Sequence, residues 1–277
     1  MEIIRNRFLF STIGVGLSKE ELASVRRQVE KLDAEVSSLV KKQIMDPDKE
    51  NYGSFGVVDS INHRDISYNG YYYYRIQMMA AAYACPASKY YKNPALLGRI
   101  IAALEFGEQF IRPGVERVKN WWAWDIGIPK RLIYILIYCG DDLPDQLRNK
   151  ITAALKSMPS QGFKTERGKG VVKGIESGTN FMWVLKNHLL MGVCLRDSQY
   201  LDDAGRQIGI ALGVDKEALP YGSQKGYQQG IQPDWSVHFH GRGLHFGYGS
   251  ALLVDTAEWI YLTDGTIWEV SGEIKQT

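Results

Sequence analysis

The sequence predicts an all-α fold, an array of antiparallel helical hairpins arranged as a toroid or a bundle. Two observations carry this. Eight segments repeat apolar residues at spacings of three and four between clusters of Gly, Pro, Asp and Asn, whereas strand-like alternation is confined to short stretches. The segments share no repeat of fixed period, so the array is irregular rather than a consensus solenoid.

Ser18 and Glu21 form a capping-box pattern, and Leu22, Val25, Val29, Leu32, Val36 and Leu39 then recur on one face, predicting an amphipathic helix closed before Pro47. Asp46–Gly56 reads as a polar loop. Tyr68–Ala84 is aromatic and Ala-rich, and Asn93-Pro94 opens the next periodic stretch through Phe110. Helices follow over Gly127–Tyr138, Asp145–Met158, Thr179–Leu195, Ser198–Leu212 and Gly249–Leu262. Pro159–Gly178, rich in Gly and Lys, reads as a surface loop. Tyr221–Gly249 is equally Gly-rich but also holds Trp235, Tyr248 and three histidines, which marks it as a site rather than a spacer.

Composition narrows the function. A chain of 277 residues, 45% hydrophobic and 23% charged, buries a large core and is no disordered tail. Lys and Arg number 33 against 31 Asp and Glu, a net charge of +2, which gives no field for nucleic acid; any anion site is local. Cys85, Cys139 and Cys194 lack metal or disulfide spacing and read as small core residues. Met1–Ser11 mixes Arg5 and Arg7 with apolar residues and carries no export signal, and the longest apolar run, Leu132–Cys139, falls far short of the roughly 20 residues that cross a bilayer.

Three constellations carry chemistry. In Asn120-Trp121-Trp122-Ala123-Trp124, three indoles cannot all point inward from one helix face, so at least one is available to stack on a pyranose ring, with Asn120 able to bond hydroxyls; the plain alternative is core and surface aromatics. Gly178-Thr179-Asn180 opens an apolar helix, where an N-cap is the ordinary job of Asn. Gln232-Pro233-Asp234-Trp235-Ser236-Val237-His238-Phe239-His240-Gly241, followed by Arg242, His245 and Tyr248, concentrates His and Tyr among glycines. His238 and His240 share a face if extended, but no third metal ligand stands at a convincing spacing.

In order and spacing, Asn-Trp-Trp with Ile-Gly-x-Pro, then Gly-Thr-Asn, then Gln-Pro-Asp-Trp-Ser-x-His-x-His-Gly with a following Tyr-Gly resemble the N-terminal catalytic domain of polysaccharide lyase family 8, the chondroitin AC, hyaluronate and xanthan lyases. The resemblance runs from about Tyr68 onward. It implies an incomplete α/α toroid over 1–277 as a single domain, with an open cleft that cleaves uronic-acid-containing polysaccharide by β-elimination. Carried across by motif, Asn180 neutralises the uronate carboxylate, His240 is the catalytic histidine and Tyr248 protonates the leaving oxygen; Tyr248 is also a candidate base. Trp121 and Trp122 match the aromatic patch, with Asn120 and Trp124 beside them, and Lys130, Arg131 and Arg242 are candidates for a basic cleft wall. The resemblance implies no metal or organic cofactor, an acidic polysaccharide as the partner, no nucleic acid, no membrane insertion, a monomer, and a secreted or periplasmic location.

Two departures stand out. The family pattern has one residue more between its histidine and tyrosine than His240 and Tyr248 leave here, so either a deletion is accommodated or His238 takes the role. Glu273 stands where an arginine is expected, and an acid beside a polyanion weakens binding and raises a Tyr pKa. The chain also stops where the family continues into further toroid helices and β-sandwich domains, which leaves an inactive or truncated glycan-binding homologue as the alternative. A hydrolase would need two carboxylates across the scissile bond, and Asp125 and Asp234 have no evident partners.

Overall fold

The computed structural model describes residues 1–55, 71–115, 120–158, 178–213, 230–232, 234–238 and 244–272. They divide between two compact units, Asn6–Met158 and Met1–Arg5 with Pro159–Thr277. Both are built from helices, as the periodicity requires; the Gly- and Lys-rich loop over Pro159–Gly178 lies, Gly178 apart, outside the described residues.

The chain starts with a helix that the sequence did not announce, α1 (Glu2–Ile13), which belongs to the first unit from Asn6 on. Ile4, Phe8, Leu9 and Ile13 are buried, so the stretch read above only for an export signal is a packed helix. The Ser18–Glu21 capping box forms as expected: the Ser18 hydroxyl accepts from the Glu21 N–H at 3.2 Å and the Glu21 carboxylate accepts from the Ser18 N–H at 2.8 Å. These bonds hold the Glu21 carboxyl below the usual range, because they favour its charged form. The single helix expected behind the box is two, α2 (Lys19–Ser24) and α3 (Arg26–Lys42), parted at Val25, which leaves helical geometry. No Gly or Pro marks this break, and Val36 is the one buried residue of α3.

α4 (Tyr71–Ala84) lies between α3, α5 (Pro94–Glu108) and α6 (Ile128–Cys139) and buries nine of its fourteen residues. Its paired tyrosines reach α5, the Tyr72 hydroxyl donating to the Ala103 carbonyl and that of Tyr73 to the Gly107 carbonyl, each at 2.8 Å. Burial holds both phenols well above their usual pKa, so they remain donors. Asn93 caps α5, accepting from Ala95 N–H at 2.9 Å and Leu96 N–H at 3.1 Å, with Pro94 in the first turn as the sequence indicated. α6 is covered on nearly every side, which is why it reads as an unbroken apolar run; Phe8 meets Tyr134 edge-on with ring centres 4.8 Å apart. Cys139 closes it as a core thiol, its pKa pushed up to about 12 by burial. α7 (Asp145–Ser157) packs against α5 and α6.

The second unit centres on α8 (Gly178–Leu195), which buries fifteen of its eighteen residues. α9 (Ser198–Leu212) folds back along it after a tight turn in which Arg196 takes a left-handed φ of 54° and the Asp197 side chain caps α9 at the Gln199 N–H, 3.0 Å away. The hairpin closes tightly because Gly192 has no side chain: a Cβ there would lie 2.1 Å from Leu201 Cδ1 and 2.8 Å from the Asp197 carbonyl oxygen. β1 (Gly230–Ile231) and β2 (Val237–His238) form a small antiparallel ribbon with Gly230 opposite His238, and α10 (Phe246–Thr263) then packs on α8. Among the described residues no helix is long and apolar enough to cross a membrane.

Gly192→Ala should lower unfolding stability by about 2 kcal/mol or more, since one clashing atom is backbone. Gly98→Ala, in α5 with nothing within 4 Å of the new methyl, should raise it by about 0.5–1 kcal/mol. Urea denaturation of both variants checks the hairpin packing.

Candidate active site

The Asn-Trp-Trp motif belongs to the Asn6–Met158 unit and disperses its indoles as the crowding argument required. Asn120 accepts from the Ala123 N–H at 3.4 Å and caps the helical turn that starts at Trp121. Ala123–Gly127 winds as a π-helical turn running into α6, a geometry common at functional sites. The wider turn separates the side chains: Trp124 and Asp125 are buried, Trp122 is half-buried and Trp121 is 44% exposed. Trp124 is thus part of the unit's core, while Trp121 offers an indole face. Of the two basic residues after the motif, Arg131 is committed within its own unit, its guanidinium 4.8 Å over the Tyr74 ring and donating to Gln77 Oε1 at 2.9 Å, and Lys130 stands 5.7 Å over Tyr134.

The other two motifs lie in the second unit, where α8 and α10 bring them together. Asn180 sits inside the first turn of α8, 4% exposed, and its side-chain oxygen has no hydrogen-bond partner among the described residues. The ordinary capping role is therefore not the one it plays. A buried amide oxygen without a partner costs stability unless a water or a ligand completes it. Its neighbour Thr179 donates through Oγ1 to the backbone carbonyl of Tyr248 at 2.8 Å, so the Gly-Thr-Asn turn and the Tyr-Gly turn touch.

Tyr248 stands in the first turn of α10, not in a loop before it, because His245 caps that helix: its Nδ1 accepts from the Tyr248 N–H at 3.2 Å. The half-buried phenol ring is held from two sides, edge-on to His245 with ring centres 4.9 Å apart and tilted against Trp183 at 5.9 Å. His238 is half-exposed on β2, and Leu244, just before His245, bridges back to it. His240, Arg242 and Glu273 lie outside the described residues. Among the described residues no group of three or more His, Cys, Asp or Glu is placed to hold a metal ion.

Beneath Tyr248 lies a cluster that sequence reasoning did not pick out. Asp255, buried on α10, accepts from the Trp183 indole N–H at 2.7 Å and from the Lys186 ammonium at 2.6 Å, and Lys186 also pairs with Glu258. The available signal was Lys186 itself, one cation in an otherwise apolar helix, since a lysine is almost never fully buried without a partner. Asp255 and Glu258, three apart on α10, supply it.

Comparison with known proteins places this arrangement in a family. The model of "Polysaccharide lyase family 8, N terminal alpha-helical domain" matches residues 12–277. Hyaluronate lyase HylB of Cutibacterium acnes is 30% identical over 202 residues, 70% of this chain and 24% of that protein. Hyaluronate lyase HylB of Enterococcus faecalis is 27% identical over 209 residues, 70% of this chain and 20% of that protein. In three dimensions the chain is similar to the chondroitin AC lyase of Streptomyces coelicolor in complex with chondroitin sulphate, with a TM-score of 0.76 at 21% identity over 99% of this chain and 34% of that one. It is also similar to the Paenibacillus xanthan lyase, with a TM-score of 0.75 at 21% identity over 99% of this chain and 24% of that one. The all-α class expected from the sequence is the class found, and the chain spans about a fifth to a quarter of the length of these curated relatives.

Lys186→Met should destabilise the protein by about 3–5 kcal/mol, because it leaves the buried Asp255 carboxylate without its counter-charge. Chemical denaturation measures the loss, and an effect under about 1 kcal/mol would mean that the cluster is solvated and does not hold α8 to α10.

Proposed function

The chain belongs to polysaccharide lyase family 8, and from that premise we propose that it cleaves uronic-acid-containing polysaccharide of the chondroitin or hyaluronan type by β-elimination. The observation that carries the reading is the contact of the Asn180 and Tyr248 turns through the Thr179 hydrogen bond. It joins Asn180, a buried amide whose side-chain oxygen lacks a partner among the described residues, to a half-buried phenol, two groups that this reaction needs on one sugar.

The C5 proton of a hexuronate is weakly acidic while its carboxylate bears a full charge. A side chain that donates a hydrogen bond to that carboxylate stabilises the carbanion that forms as the proton leaves, and the Asn180 Nδ2–H group takes this part. A base then removes the C5 proton and an acid delivers one to O4 as the C4–O4 bond breaks, leaving a C4–C5 double bond. His240 and Tyr248 divide these steps, and the mobility of a phenol proton suits Tyr248 to the leaving oxygen. Trp121 supports the polymer by stacking, and His238, Asn120, Trp122 and Arg242 complete the binding set. A polymer of this size meets the enzyme outside the cytoplasm, so a secreted or periplasmic location goes with the activity. The alternative, a glycan-binding homologue without turnover, is favoured by the acid at Glu273 where an arginine is expected.

Incubation with chondroitin, hyaluronan, heparan and xanthan should yield an unsaturated uronate absorbing in the near ultraviolet on at least one polymer; a reducing end without that absorbance means hydrolysis. Tyr248→Phe should abolish turnover and keep binding. Asn180→Ala should lower turnover about 100- to 1,000-fold, the usual cost of one such donor. His240→Ala should be comparably damaging and His238→Ala mild, and the reverse order assigns the catalytic role to His238. Glycan binding without turnover, lost in Trp121→Ala, establishes the alternative.

A further inference from the structure

Trp235 is one of the large side chains that the second unit leaves exposed. Its indole is 59% exposed, and neither the ring nor its N–H has a partner among the described residues. Yet its backbone takes φ of 66°, the left-handed region that a bulky aromatic side chain disfavours. Among the described residues no side-chain contact calls for a tryptophan here, and glycine would adopt the same turn without strain.

The turn itself is held firmly. The Trp235 N–H donates to the Gln232 carbonyl and the Gln232 N–H to the Ser236 carbonyl, both at 2.8 Å, while Asp234 Oδ1 accepts from the Ser236 hydroxyl at 2.7 Å and from its N–H at 3.0 Å. Those two bonds from Ser236 hold the Asp234 carboxyl below its usual range, so it remains an ionised acceptor. The ribbon below is fixed to the start of α10: the His245 N–H donates to the Val237 carbonyl at 3.1 Å, and Gly249 packs against the Val237 side chain. Trp235 therefore stands two residues, about 7 Å of extended chain, from the residue that touches the Tyr248 turn.

We propose that Trp235 is a sugar-stacking residue of this site, its indole taking the apolar face of a pyranose ring of the acidic polymer beside the residue that Asn180 and Tyr248 act on. A strained backbone that displays a flat, solvated indole on a hydrogen-bonded turn, two residues before the strand that meets the start of α10, is retained for contact with a ligand. A single exposed aromatic face matches a pyranose, whose ring carbons lie flat between hydroxyls. The inference rests on the lyase reading and places a sugar-stacking residue in the second unit.

The test uses the whole chain in a Tyr248→Phe background, titrated with chondroitin and hyaluronan hexasaccharides by calorimetry, with steady-state kinetics on the wild-type background. Trp235→Gly should hold or raise the midpoint of thermal unfolding, because it removes the strain, while weakening hexasaccharide binding about tenfold; Trp235→Tyr, which keeps a flat ring, should bind within about threefold. KM should rise about tenfold in Trp235→Gly, with kcat within about twofold. Unchanged binding and KM in Trp235→Gly overturn the proposal and leave the lyase reading standing. A fall in unfolding midpoint matching the loss of binding also overturns it, since Trp235 is then structural. A wild-type chain that neither binds nor cleaves either polymer removes the lyase reading and the proposal together.

Discussion

A buried carboxylate sets the geometry of the candidate site. Asp255 is 7% exposed and takes both the Lys186 ammonium and the Trp183 indole N–H. Two charges held out of water are tolerated only while they remain paired, so any slide or rotation of α10 along α8 would strand one of them. Thr179, Trp183 and Lys186 recur at spacings of four and three on α8, and Tyr248, Asp255 and Glu258 at seven and three on α10, so each set lies along one helix face. Pairing Lys186 with Asp255 thereby brings Thr179 to the Tyr248 carbonyl and sets the Trp183 ring against the Tyr248 phenol. Asn180, one residue on from Thr179, is carried into the same turn.

The caps and periods of the helices were legible because their causes are local. The Ser18–Glu21 box, the Asn93-Pro94 start and the bounds of α9 each follow from side chains within four residues of the helix end. What escaped the sequence depends on partners far along the chain. α1 reads as mixed until Phe8 is seen against Tyr134, and the break at Val25 has no Gly or Pro to announce it. The start of α10 was placed three residues late because His245 is an uncommon cap and the stretch before it is full of glycine, which masks a helical start.

The site was legible in its motifs and opaque in its supports. Asn180 reads locally as an ordinary cap, and only the packing of α8 shows it buried with its oxygen unpartnered among the described residues. Lys186, Asp255 and Glu258 carry no motif, since their meaning is a pairing across 69 and 72 residues of chain. The three tryptophans of the first unit could be sorted into one exposed, one half-buried and one core indole only once the π-helical turn was known. His240, Arg242 and Glu273 rest on motif position alone.

The account stands on Asn180 meeting the uronate carboxylate while Tyr248 faces the reacting carbons. A crystal structure of the Tyr248→Phe chain with a chondroitin or hyaluronan hexasaccharide tests this most directly. The account predicts a uronate carboxylate within hydrogen-bonding distance of the Asn180 side chain, with C5 and O4 of that sugar turned toward the ring at position 248. An oligosaccharide whose carboxylates are all held by other residues, with the Asn180 amide left untouched, would contradict it.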